Sequence, residues 1–173
     1  MIFDCVRPGA RVADIGTDHA HIPIALVAES RAEHVIAVDI KEGPLEIARN
    51  NVEEYGFTEQ IDIRQSDGLE AVLPEEVDTV IISGMGGTMI CDILSRAIGF
   101  HSHDFILQPM TAQDELREFL IRNGYRVVRE SLAKEEDKIY NVMVVVQEWE
   151  EEISEDDLFY HIGRSLIEEK DPL

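Results

Sequence analysis

The chain has 173 residues, 45% of them apolar, which suits one domain with an ordinary core. Its 36 acids against 15 bases give a formal charge of −21; such a surface repels polyanions, lacks the basic stripe of nucleic-acid binders, and is common among proteins adapted to a salty cytoplasm. The best apolar run, residues 142–146, is only strand length, residues 1–6 lack a signal-peptide pattern, and Cys5 and Cys91 alone make neither a disulfide framework nor a zinc site, so a cytoplasmic protein without membrane or metal is expected.

Residues 11–15 form the first predicted strand, which ends at Gly16, Thr17, Asp18 and His19 and passes into a helix at 22–30 with Pro23 in its first turn. A second strand at 35–40 carries Asp39 at its tip and leads to a helix at 44–55, stopped by Gly56. The third strand, 61–66, is followed by Asp67-Gly68, and the fourth, 77–83, by Gly84-Met85-Gly86-Gly87 and a helix at 88–98. A fifth strand at 105–108 precedes a helix at 114–122, closed by Asn123-Gly124. Strands alternating with helices of this length indicate a parallel sheet covered on both faces.

The end of the sheet separates fold families. Two strand-like stretches, 125–132 and 138–149, are divided only by residues 133–137, too few for a crossover helix, so they must pair as an antiparallel hairpin. A dinucleotide-binding dehydrogenase would continue strand–helix–strand. The fold class expected is therefore α/β, a Rossmann-like doubly wound, mostly parallel sheet with a terminal antiparallel hairpin, similar to the class I S-adenosylmethionine (SAM) methyltransferases. This domain spans 1–149; residues 150–173 read as an acidic linker and a short helical tail.

Open parallel sheets bind ligands beyond the carboxyl ends of their strands, and five strand ends here carry small or polar residues. The first, Asp14 through His19, has Gly16, Asp18 and Ala20 where methyltransferases often show alternating glycines; aspartate tolerates the left-handed conformation this requires. A carboxylate at Asp18 would repel a pyrophosphate, whereas it suits the sulfonium and ammonium of SAM. Asp18 is also a candidate helix N-cap. Asp39, with Ile40 beside it, is placed to accept from ribose hydroxyls. Asp67-Gly68 fits either an adenine contact or an ordinary turn. Three glycines in Gly84-Met85-Gly86-Gly87 imply that something approaches the backbone closely, and the acceptor and methyl donor are expected to meet there. Gln108 and Pro109 close the set. His19/His21 and His101/His103 have alternate spacing but no completing ligands, so a metal is not expected; His21 is either a helix-surface residue or a substrate contact.

The residues resemble the TrmK family, bacterial tRNA adenine-N1 methyltransferases acting on nucleotide 22. The resemblance is carried by Ala13-Asp14-Ile15-Gly16-Thr17-Asp18-His19-Ala20 with Pro23, Gly43-Pro44, Asp67-Gly68-Leu69, the segment from Ser83 through Thr88, Leu107-Gln108-Pro109, Asn123-Gly124-Tyr125 and, more weakly, Lys138-Ile139-Tyr140. The family usually has an aromatic where this chain has His21 and an asparagine where it has Met110. It also has a further N-terminal helix and a C-terminal helical domain, so the resemblance implies a tRNA-acting catalytic domain lacking one or both ends, with basic tRNA-facing surface elsewhere; the acidic surface argues for weak tRNA binding by this part. It implies SAM as cofactor and methyl transfer to adenine N1. Gly84 would offer its carbonyl to the N6 amine, Gly86 and Gly87 would leave room for the ring, Met85 would pack on a face, Asp18 could balance the cationic product, and Gln108 and Pro109 would line the base pocket. Two other readings stay open: a SAM methyltransferase of a small molecule or protein, and a non-catalytic SAM- or partner-binding module.

Overall fold

The structure, a computed structural model, describes residues 1–135 and 138–147; the expected linker and tail at 150–173 lie outside the described residues. Seven strands form one sheet in the order β3-β2-β1-β4-β5-β7-β6. The chain divides into two compact units, Met1–Ile82 and Ser83–Leu173.

The first unit contains α1 (Ile2–Cys5), β1 (Ala10–Ile15), α2 (His21–Ala28), β2 (Ala32–Asp39), α3 (Glu42–Tyr55), β3 (Ile61–Gln65), a 3-10 turn (Pro74–Glu76) and the start of β4 (Thr79–Gly86). β2 pairs in parallel with β1 and β3, and β1 in parallel with β4. Strands of a parallel sheet are covered on both faces, which is why Val35, Ile36, Ala37 and Val38 are all buried instead of alternating. α3 buries Leu45, Ala48 and Val52, spaced at helical intervals, and leaves its charged face to solvent. The short α1 was not expected from the sequence.

The second unit carries the end of β4, then α4 (Gly87–Ser95), β5 (Asp104–Thr111), α5 (Gln113–Arg122), β6 (Tyr125–Glu135) and β7 (Lys138–Gln147). β7 pairs antiparallel with both β5 and β6, the hairpin that the short connection required. Its pairing runs from Tyr125↔Gln147 to Glu135↔Lys138, with a bulge between Val127 and Arg129. Beneath it, Arg117 of α5 forms a two-pronged ion pair with Glu130, whose Oε1 also accepts from Asn141 Nδ2 at 2.6 Å. All three side chains are buried.

Several boundaries differ from expectation, and two of them bear on the candidate residues. β4 continues through Gly86 and α4 starts at Gly87, so the glycine segment is strand end and helix start with no intervening loop. β5 likewise runs on to Thr111, placing Gln108 and Pro109 inside the strand. Glycine and proline are both depleted in strand interiors, and their presence made these strands look shorter than they are.

Candidate functional site

The first unit gathers its candidate residues at the carboxyl ends of β1, β2 and β3. Gly16 and Thr17 both donate backbone N–H groups to the Val38 carbonyl, at 2.8 and 2.9 Å, which ties the turn to the neighbouring strand. Gly16, Asp18 and Ala20 all have positive φ, at 76°, 53° and 61°, so the alternating left-handed pattern is present although only the first residue is glycine. Asp18 is not the helix cap. Ala20 occupies the N-cap position without a side-chain hydrogen bond, because the third left-handed residue delays the start of α2 to His21.

Asp39 organises this turn. One carboxylate oxygen accepts from the Asp18 N–H at 3.2 Å and the other from the Lys41 N–H at 2.9 Å. Each oxygen keeps a further lone pair for a ligand hydroxyl. Ile40 next to it is exposed, and Gln65 Nε2 donates to its carbonyl. Ser66 N–H donates to the Asp39 carbonyl, which brings the turn containing Asp67 and Gly68 to the same strand end. Gly68 also has positive φ.

Asp14 is buried near the end of β1, and among the described residues its Oδ2 has no hydrogen-bond partner. Burial raises its pKa to about 6; the nearby Thr17 hydroxyl, outside good hydrogen-bond geometry, draws it back in part, and the Asp39 charge pushes it up again. A buried, unpaired carboxyl is costly unless a cation or donor meets it. His19 is half-buried, with its carbonyl held by Asn51 Nδ2 at 2.9 Å and its ring 5.8 Å from that of exposed His21. His101 and His103 lie in the second unit, where His101 meets Gln147 and His103 packs against Phe100. Among the described residues no group of three or more His, Cys, Asp or Glu could hold a metal.

The second unit presents Gly84 through Gly87, with Gln108 and Pro109 of β5. Gly84 has φ 75° and is exposed, and nothing lies within 4 Å of where its Cβ would stand. Its N–H donates to Gln108 Oε1 at 3.0 Å. The close approach implied by the other glycines comes from within the protein. A Cβ on Gly86 would stand 3.1 Å from Thr111 Oγ1, and Gly87 packs against the backbone at Ala112. Gly87 therefore serves helix packing, and the open space lies at Gly84.

Residues 1–143 match a methyltransferase domain family. Over 147 residues the chain is 38% identical to the tRNA (adenine(22)-N(1))-methyltransferase of Bacillus subtilis, covering 83% of this chain and 61% of that one. It also superimposes on M. capricolum TrmK solved with S-adenosyl-homocysteine, with TM-score 0.83 and 32% identity over 94% of this chain and 72% of the other. The chain belongs to the TrmK family. A Streptococcus pneumoniae protein solved with S-adenosyl-L-methionine aligns with TM-score 0.91 and 34% identity, covering 99% of this chain and 80% of the other.

This TrmK chain spans about three fifths of the length of the curated relatives it matches. Two residues that shape these segments gave no signal in the sequence. Asn51 lies in mid-helix, and its hold on His19 is visible only once α3 is placed. Ala112, left-handed at φ 53°, caps α5 where a glycine or asparagine would have announced the turn.

Proposed function

We propose that this chain is the SAM-dependent catalytic part of a tRNA adenine-N1 methyltransferase acting on nucleotide 22. The observation that carries the reading is the left-handed turn at Gly16, Asp18 and Ala20, tied to Asp39 and backed by the orphaned carboxyl oxygen of Asp14. This donor set fits SAM: carboxylates for its cationic centres, an acid at a strand tip for its ribose, and at Asp18 a negative charge that would repel a phosphate. In this reading Asp14, Gly16, Thr17 and His19 hold the amino-acid end, Asp39 the ribose, and Ile40, Asp67 and Gly68 the adenine.

When bound, SAM supplies an electrophilic methyl on a sulfonium. Adenine N1 carries an in-plane lone pair, so no side chain of the protein has to remove a proton before attack. The residues have to orient. The exposed, left-handed Gly84 offers its carbonyl to the N6 amine, Met85 packs against the base, and Pro109 bounds the acceptor. Acting on tRNA, such an enzyme works in the cytoplasm, and its net charge of −21 makes tRNA binding by this portion weak and salt-sensitive.

The test is methyl transfer from labelled SAM to unmodified tRNA, with the product mapped by its block to reverse transcription, beside calorimetric titration with S-adenosylhomocysteine. Transfer confined to one adenine supports the reading. The acidity favours a second reading, a methyltransferase of a protein or small molecule, which cofactor binding without transfer to any tRNA would support.

A further inference from the structure

We propose that Gln108 is a positioning residue whose buried amide clamps the Ser83–Gly84 peptide, so that Gly84 is set in its left-handed conformation before an acceptor arrives. The proposal rests on the reading of Gly84 as the acceptor-facing residue, but its structural basis is independent of that reading.

Gln108 is 8% exposed on β5, and its amide is almost fully committed within the protein. Oε1 takes the Gly84 N–H at 3.0 Å, while Nε2 faces the Pro109 carbonyl and Met110 Sδ, each at 3.3 Å. The Gly84 N–H can only donate, and the carbonyl and thioether can only accept, so the orientation of the amide is fixed by its partners. Both acceptors near Nε2 belong to the chain itself, which leaves the amide little capacity for reading a base.

The clamp acts where rigidity is otherwise lacking. Gly84 is exposed, has no neighbour within 4 Å of its Cβ position, and is the residue type with the most freedom to lose. Three residues on, Gly87 is wedged against Ala112. With Gln108 holding the peptide on one side and Gly87 seated on the other, the segment has fixed ends, and the Gly84 carbonyl has one direction.

Q108L removes the acceptor, and Q108E keeps an oxygen for the Gly84 N–H while losing the donors. In the full chain, Q108L is expected to lower kcat about 10- to 100-fold, with KM for tRNA and affinity for S-adenosylhomocysteine changed less than about threefold. Q108E should fall between Q108L and the parent protein. Hydrogen exchange gives a readout free of activity: the Gly84 amide should be protected in the parent and in Q108E, and exchange freely in Q108L. If Q108L does not fold, Q108M, unbranched like glutamine, carries the same expectation. A loss confined to KM would show direct contact with the base and overturn the proposal, as would unchanged kcat or an unchanged Gly84 amide in Q108L. Should the parent transfer no methyl to tRNA, the functional reading fails, and the exchange experiment still decides the clamp.

Discussion

A Cβ on Gly87 would stand 2.1 Å from the carbonyl oxygen of Ala112 and 2.9 Å from its carbonyl carbon. Backbone cannot swing aside as a flexible side chain can, so Gly87→Ala must push the start of α4 from the start of α5. We expect a loss of about 3 kcal/mol or more, the upper end of overpacking costs. Gly84→Ala meets no atom, and its cost is the left-handed backbone alone, about 1–2 kcal/mol. Urea denaturation of the two variants should rank them in that order, and equal losses would show that space is not what Gly87 provides.

The Arg117–Glu130 pair is sealed from water, with Arg117 3% and Glu130 2% exposed. Removing one partner strands the other charge, which costs about 3–5 kcal/mol. Arg117→Met and Glu130→Leu should each destabilise by that order, whereas the double variant should recover much of it. A double-mutant cycle on denaturation midpoints measures the coupling, and additive losses would argue against a mutually dependent pair.

Asp14 has a definite pH signature. Its folded pKa, about 6, lies above the ordinary 3.8 because burial disfavours the charged form. The native state therefore holds this proton more tightly than the unfolded chain does. The stability it contributes is whole below about pH 4 and is lost as pH rises through 6, with a span of roughly 3 kcal/mol. Asp14→Asn should lack that share of the pH slope.

Donor binding should run the opposite way. A cationic amino group meeting Asp14 needs the ionised carboxylate, so affinity for S-adenosylhomocysteine should weaken by up to about tenfold for each pH unit below 6. Calorimetry across pH 5–7.5 checks this, with Asp14→Asn as the flat control. A flat parent protein would remove Asp14 from the cofactor's contacts.

Asp39 accepts backbone N–H groups on both oxygens, so an amide in its place must turn its NH2 toward one of those donors. Asp39→Asn is expected to weaken S-adenosylhomocysteine binding about 10- to 100-fold, the worth of hydrogen bonds to a charged group. Its melting temperature should fall as well, because the turn at Asp18 is freed. Binding that survives intact would assign the ribose to another residue.

What the sequence disclosed follows from which physical signals it carries. Parallel strands were legible because buried apolar runs such as 35–38 are contiguous, and the hairpin because its connection is too short to cross a sheet. The left-handed turn was legible at Gly16 and Asp18, since those residue types tolerate it. Ala20 and Ala112 adopt the same conformation against their intrinsic preference, imposed by the surrounding fold, and no single-residue signal announces that. Gln108 was visible as a polar residue near a strand end, but its partners are 24 residues away at Gly84 and next door at Pro109 and Met110. Only packing reveals that its amide is already spoken for.

Val128 has a consequence of another kind. It is the extra residue of the bulge, 40% exposed, with Val127↔Val145 and Arg129↔Val144 paired on either side. Strict alternation through it would turn Arg129 inward and Glu130 toward solvent; the supernumerary residue reverses that parity and delivers Glu130 to Arg117. Excising Val128 would let the ladder zip without changing any partner. Here the chain should tolerate a deletion better than an insertion, and comparing the unfolding midpoints of the two would show it.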